Sequence, residues 1–196
     1  NDQNNLYYCE QIEATNPCAE QPLPPYGLCT LGSFNLMGYI QEYGGQFLDF
    51  NKELFIQDIH SWVEAYDNIF DNAVYAIPEH KEEALNKRRI GLGFTGIANA
   101  IELLTHRASY GEPQFNYILE DLCRTLRDEA YRTSINLART RGPFKLFNAA
   151  YLSSKFVARL PKDIQYDLSN YGIRNSHLIS YAPCGTISQS QARSWS

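Results

Sequence analysis

What this sequence lacks narrows its chemistry first. No run of apolar residues approaches the ~20 that a membrane-spanning helix needs. The first thirty residues, polar and proline-rich, hold no apolar leader core, so a cytoplasmic protein is expected. Basic charge is in short supply, with 17 Lys and Arg against 22 Asp and Glu and a net charge of -5. That balance gives no electrostatic footprint for nucleic acid or an anionic membrane, and any phosphate must be held locally by one loop. The five cysteines (Cys9, Cys18, Cys29, Cys123, Cys184) form no C-x-x-C pair and have no histidine at ligand spacing. An odd, scattered set of this kind suggests neither a zinc site nor a secreted disulfide framework. Internal repeats and low-complexity tracts are also missing.

What is present is enough for a core: 196 residues, 44% hydrophobic and 13% aromatic, fit one globular domain. Both ends look unlike those of a complete domain. Asn1 to Asn5 is a polar lead and Ser188 to Ser196 is polar without a packing period, so residues 1–196 are read as a single partial domain.

Leu6 to Thr15 alternates loosely, as a strand does, and Asn16 to Tyr26 is a loop because four prolines exclude regular structure. Leu28 to Ile40 predicts a strand or short helix, followed by a hairpin through Tyr43-Gly44-Gly45 into Phe47 to Phe50. Asn51 is an N-cap for a helix whose apolar residues run from Leu54 to Val74, with Pro78 ending the pattern. Arg89 to Gly93 predicts a strand, Thr95 to Leu104 a helix, and Pro113 to Thr140 a long helix stopped by Gly142-Pro143. Ala149 to Leu160 predicts a further helix and Ser176 to Ala182 a strand. Strands separated by helices imply parallel pairing and an α/β class.

The segment Asn16-Pro17-Cys18-Ala19-Glu20-Gln21 sets an amide, a thiol and a carboxylate at alternate positions of a proline-stiffened loop, where alternate side chains share a face. A thiol able to become a radical, a carboxylate to take a hydroxyl proton and an amide to orient that hydroxyl make a hydrogen-abstraction unit. By spacing alone, a lone cysteine is more often an inert packing residue.

The longer run Asn16-Pro17-Cys18-Ala19-Glu20-Gln21-Pro22-Leu23-Pro24-Pro25-Tyr26-Gly27, with Cys29-Thr30-Leu31-Gly32-Ser33-Phe34-Asn35-Leu36 after it, resembles the active-site signature of ribonucleotide reductase large chains. The resemblance implies a finger loop inside a ten-stranded α/β barrel, of which about half is present. It makes Cys18 the thiyl radical, Glu20 the base and Asn16 a hydrogen-bonding helper. Pro17 and Gln21 to Tyr26 are closer to the adenosylcobalamin-dependent class than to the class with a di-iron partner subunit. Position 19 is usually Gly in the family, and Ala19 departs from it.

Cys29 resembles the family cysteine that reduces the substrate with a second cysteine, expected upstream of Asn1. Cys9 and Cys123 are read as packing residues. Arg88-Arg89-Ile90-Gly91-Leu92-Gly93-Phe94-Thr95-Gly96 contains G-x-G-x-x-G, but no acidic residue follows at dinucleotide-fold spacing. It resembles a family segment whose glycines serve close packing of strand and helix. Pro183-Cys184-Gly185-Thr186-Ile187-Ser188 resembles the family's substrate-phosphate loop, where Cys184 stands for a usual Thr. A Gly-containing turn opening a helix aims amide dipoles at an anion. His60, His80, His106 and His177 are expected at the surface or as caps.

The implied reaction is reduction of ribonucleoside di- or triphosphates. A thioredoxin or glutaredoxin would be the reductant, and a complementary chain or dimer is a possible partner. Two other readings stay open: a non-catalytic module that keeps the fold, and a thiol-redox protein using Cys18 and Cys29 as a couple.

Overall fold

The computed structural model describes residues 3–45 and 47–191. Its centre is a small parallel sheet. Strand β3 (Thr30–Asn35) pairs in parallel with β6 (Ile90–Thr95), Thr30 opposite Ile90 through Asn35 opposite Thr95. A third segment joins β6 by the parallel bridge Leu92 to Ile179, carried by Leu92 N to Leu178 O (2.8 Å) and Ser180 N to Leu92 O (2.9 Å). Two antiparallel hairpins stand apart: β1 (Ala14–Thr15) with β2 (Pro22–Leu23), and β4 (Ile40–Tyr43) with β5 (Phe47–Phe50). The parallel pairing and mixed composition agree with the α/β reading.

Side chains alternate across the sheet. Phe34, Ile90, Leu92 and Phe94 form the face covered by α1 (Lys52–Asn72), whose Phe55, Ile59 and Val63 are buried. Phe34 and Phe55 meet edge to face at 5.4 Å. Helix α1 starts where Asn51 accepts a hydrogen bond from Leu54 N. The long helix α4 (Pro113–Arg141) packs beside it and ends at Gly142, and α3 (Ile97–Thr105) follows β6.

Several expectations need correction. Residues 5–9 form turns, and strand structure before the loop is confined to Ala14–Thr15. The prolines do not exclude all regular structure from the loop, since Pro22–Leu23 is a strand whose partner needs no N–H from Pro22. The first segment after the loop is both predicted things in turn: β3, then a 3-10 turn at Leu36–Tyr39. Pro78 does not end a helix; it opens α2 (Pro78–Lys87) at a position where its missing N–H costs nothing. Ala149 to Leu160 is two 3-10 turns, Ala149–Ser153, capped by the Asn148 side chain, and Val157–Arg159, separated by residues 154–156, where Ser154 Oγ accepts from Val157 N. Helix α5 (Lys162–Tyr171) was not anticipated. Asn5 is no solvated lead: it is buried and bonds Tyr131 OH, Tyr151 OH, Ser176 O and Ser154 Oγ. Of the polar end, Ser188 to Ser190 closes α6 (Gly185–Ser190), and 192–196 lie outside the described residues.

A buried polar hub locks these layers. Asp67 of α1, fully buried, accepts from Arg88 Nε at 2.6 Å, Asn175 Nδ2 at 3.1 Å, Arg174 Nε at 3.1 Å and Arg141 Nη1 at 3.3 Å. Asn175 also bonds Ser134 of α4 and the Arg88 carbonyl. An uncompensated charge left in such a site is costly, so Asp67→Asn should lower unfolding free energy by about 3–5 kcal/mol in urea titrations. Lys52→Met, which removes an exposed pair with Asp121, should change it by less than about 1 kcal/mol.

Candidate active site

The thiol-bearing loop is the connection of the β1–β2 hairpin. Its ends are clamped twice by Asn16: the Asn16 N–H donates to Gln21 O at 3.1 Å, and Asn16 Oδ1 accepts from Gln21 N at 2.9 Å. Ala19 N bonds Asn16 O at 3.0 Å, closing a turn with Cys18 at the tip, exposed. Ala19 takes φ 64°, in the left-handed region where a Cβ is penalised. That backbone demand suits the glycine that the family resemblance leads one to expect at this position.

Room for the hairpin comes from the sheet. Leu31, Ser33, Gly91 and Gly93 alternate onto the face opposite α1. A Cβ on Gly91 would lie 2.9 Å from Gln21 Nε2, 2.7 Å from Ser180 Cβ and 2.5 Å from Leu31 Cδ2. A Cβ on Gly93 would meet Ser180 O at 2.7 Å. The glycines therefore serve close packing, but of the hairpin and segment 180–181 against the strand rather than of strand against helix. Ser180 Oγ donates to Glu20 O at 3.0 Å, tying the hairpin to the third segment, where the strand expected over Ser176 to Ala182 is reduced to an isolated bridge at Ile179.

Glu20 turns inward. Its Oε2 is buried and has no hydrogen-bond partner among the described residues. It borders a cleft of ≈ 420 Å³ with Asn4, Gln21, Arg89, His177 and Ile179. Cys29 immediately precedes β3, as Arg89 precedes β6, and Thr30 N bonds Arg89 O at 3.2 Å. Burial pushes the Cys29 thiol up to about 12, with the Arg89 charge acting against that rise and Glu20 adding to it. The structure thus brings Glu20 and Cys29 into one electrostatic neighbourhood.

The segment Pro183 to Ser188 lies beyond the third strand segment and opens α6. Pro183, Gly185, Thr186 and Ile187 are exposed. Cys184 is buried, its thiol 2.9 Å from Ser33 Oγ and 3.3 Å from Ala182 O. Ser188 is also buried and donates to Gly185 O at 2.9 Å. Of the two hydroxyls expected to hold an anion, only that of Thr186 lies on an exposed residue. The Cys184 contact with Ser33 anchors the segment beside β3.

Sequence reasoning missed an inner cluster of ions. Glu10, Lys87 and Arg89 are nearly inaccessible, with Glu10 accepting from Lys87 Nζ at 2.9 Å and from Arg89 Nη2 at 2.8 and 2.9 Å. Burial works against the Glu10 charge, but the two cations outweigh it and hold its pKa below the usual carboxylate range. The Arg88-Arg89 pair was the available signal, since consecutive cations before an apolar strand require buried acids. His177, expected at the surface, is enclosed between Ser176 Oγ (3.0 Å) and Asn4 Oδ1 (3.1 Å). Cys9, read as packing, is exposed, and Cys123 receives a hydrogen bond from Tyr181 OH at 3.3 Å. His106 caps α3 in a left-handed conformation, as a capping histidine should. No group of three or more metal-binding side chains occurs among the described residues.

Two measurements follow from this geometry. Ala19→Gly should leave stability unchanged or raise it, where the same change in ordinary backbone costs roughly 0.5–1 kcal/mol. A clear loss in thermal unfolding would show that the turn is not held in the left-handed region. Burial, reinforced by Arg89 and Lys87, holds the His177 pKa well below 6.5. Unfolded chains therefore take up a proton that the folded state refuses, and stability should be full above pH 6.5 and decline as pH falls below it. His177→Gln should flatten that part of the profile in chemical denaturation at pH 7.5 and 5.5.

Comparison with known proteins supplies the lineage. The family described as ribonucleotide reductase, barrel domain, matches residues 1–196. A vitamin B12-dependent ribonucleoside-diphosphate reductase of Mycobacterium tuberculosis is 33% identical over 178 residues, covering 91% of this chain and 22% of that protein. The protein of the same name in Thermoplasma acidophilum is 31% identical over 188 residues, covering 96% and 22%. The ribonucleoside-diphosphate reductase subunit alpha of Enterobacteria phage T4 is 30% identical over 204 residues, covering 95% and 25%. The chain spans only about a quarter or less of the length of these relatives, but the match runs along all of it: the chain belongs to the ribonucleotide reductase barrel domain family.

Proposed function

We propose that this chain carries the radical loop of a ribonucleotide reductase and contributes roughly half of a ten-stranded α/β barrel, as one partial domain over residues 1–196. The observation that carries the reading is the hairpin itself. It presents Cys18 at an exposed tip, while two residues on Glu20 turns inward a carboxylate oxygen with no partner among the described residues. A buried acceptor left open is unusual, and here it is the group needed to take a substrate hydroxyl proton.

In this reading the Cys18 thiyl takes the 3′ hydrogen of the ribose, Glu20 accepts the 3′-hydroxyl proton and the 2′-hydroxyl departs as water. Asn16 spends its carbonyl oxygen on the loop, so its NH2 is the end that can donate to a substrate hydroxyl. Cys29 and a second cysteine, placed by resemblance before Asn1, supply the two electrons as a dithiol. Thioredoxin or glutaredoxin would restore them. The N–H groups of the exposed residues Gly185 to Ile187 at the start of α6, with Thr186 Oγ1, are the candidate contacts for a ribonucleoside di- or triphosphate, framed by Pro183, Cys184 and Ser188.

Relatives named for vitamin B12 support adenosylcobalamin as the radical source over a di-iron partner subunit. The residue of this chain that would face it is Cys18, at the tip of the hairpin. Bound adenosylcobalamin would supply the oxidising equivalent that removes the thiol hydrogen. Burial of Cys29, which makes it a poor attacking thiolate at neutral pH, disfavours a simple Cys18–Cys29 redox couple.

The test is deoxynucleotide formation with adenosylcobalamin, dithiothreitol and each ribonucleotide, with and without a polypeptide that supplies the preceding part of the barrel. Activity is expected only with the complementing chain, and Cys18→Ser should abolish it. Product formation that survives Cys18→Ser would overturn the assignment.

A further inference from the structure

Arg89 stands out among the groups that the proposed reaction leaves without a task. It is buried, yet its guanidinium reaches three parts of the site. Nη2 grips both oxygens of Glu10, Nη1 donates to Pro22 O at 3.4 Å on the returning strand of the hairpin, and the side chain lines the same cleft as Glu20. Register does the rest. Thr30 and Ile90 are paired neighbours, so Cys29 and Arg89, one residue earlier on each strand, alternate onto the hairpin side of the sheet with Leu31 and Gly91.

We propose that Arg89 is a positioning residue that ties the Cys18 hairpin to Cys29 and stabilises Cys29 as the thiolate leaving group when its disulfide is re-reduced. This rests on the reading of Cys29 as one of the reducing pair. In that exchange an external dithiol attacks the second sulfur of the protein disulfide through its thiolate. The S–S bond breaks, Cys29 departs carrying the electron pair, and a mixed disulfide forms. The other external thiol then displaces the second protein cysteine, and the two departing thiolates take up protons. The reductant ends as a disulfide and the protein as two thiols. Leaving is faster the more stable the thiolate, and a cation held rigid by Glu10 beside an otherwise buried sulfur provides that stabilisation.

The test reads Cys29 directly and requires no turnover. The purified protein is treated with isotope-coded iodoacetamide between pH 7 and 10, and the rates of the Cys29 and Cys18 peptides are compared in the same sample by mass spectrometry. Arg89→Gln should slow Cys29 relative to Cys18 by about tenfold at each pH, the equivalent of one pKa unit, whereas Arg89→Lys should stay within about threefold of the parent on the same scale. Loss of packing alone would expose Cys29 and speed it, so the direction separates charge from structural damage. An unchanged or faster Cys29 in Arg89→Gln overturns the proposal. Since the readout is independent of deoxynucleotide formation, failure here leaves the Cys18 assay standing, and failure of that assay leaves this charge coupling measurable.

Discussion

The arrangement depends on one buried carboxylate. Asp67 projects from α1 into a place where Arg88, Arg141, Arg174 and Asn175 converge. Arg88 is the residue at which α2 ends, in a left-handed conformation (φ 49°), and β6 begins two residues later. Pinning Arg88 to α1 therefore fixes the phase with which the chain enters the sheet. In a strand, one residue of slip exchanges the two faces. Held in this phase, Ile90, Leu92 and Phe94 meet the aromatic surface of α1, and Arg89, Gly91 and Gly93 meet the hairpin. Shifted by one, branched side chains would occupy the hairpin's place. The hub thus sets the stage for the thiol loop without touching it.

Legibility in the sequence followed the physics of each element. Helix α1 was readable because its cap and its apolar stripe coincide, and α4 because Gly142-Pro143 ends it. Helices α2 and α5 were not, since each buries only two residues, Ala84 and Lys87 in one and Ile164 and Leu168 in the other; two points make no period. The polar lead hid its role because Asn5 is buried by bonding partners more than 120 residues away, which no local pattern can announce. In the proposed site, Asn16, Cys18, Glu20 and Cys29 are named from a compact motif and a family resemblance. Ser180 and Arg89, which bond Glu20 O and Pro22 O and so hold that motif in place, belong to distant segments and emerged only once the sheet register was known. The glycines of β6 were recognised as packing residues, but what they pack against is Gln21, seventy residues before Gly91, and residues 180–181, nearly ninety residues later.

Three buried carboxylates show how charge is apportioned in this fold. Asp67 is surrounded by guanidinium groups, and Glu10 by Lys87 and Arg89; each is saturated, and each joins elements of the scaffold. Glu20 differs, because one of its oxygens is buried without a partner among the described residues while Arg89, which lines the same cleft, is committed to Glu10. Burying such an acceptor costs free energy, and the fold spends hydrogen bonds from Asn16 and Ser180 to keep the surrounding backbone from relaxing. In the proposed reaction, that open oxygen is the one a substrate hydroxyl would meet on entering the cleft. Asp67 and Glu10 stabilise the molecule because their partners are built in, whereas Glu20, in the proposed function, would take its partner from the substrate.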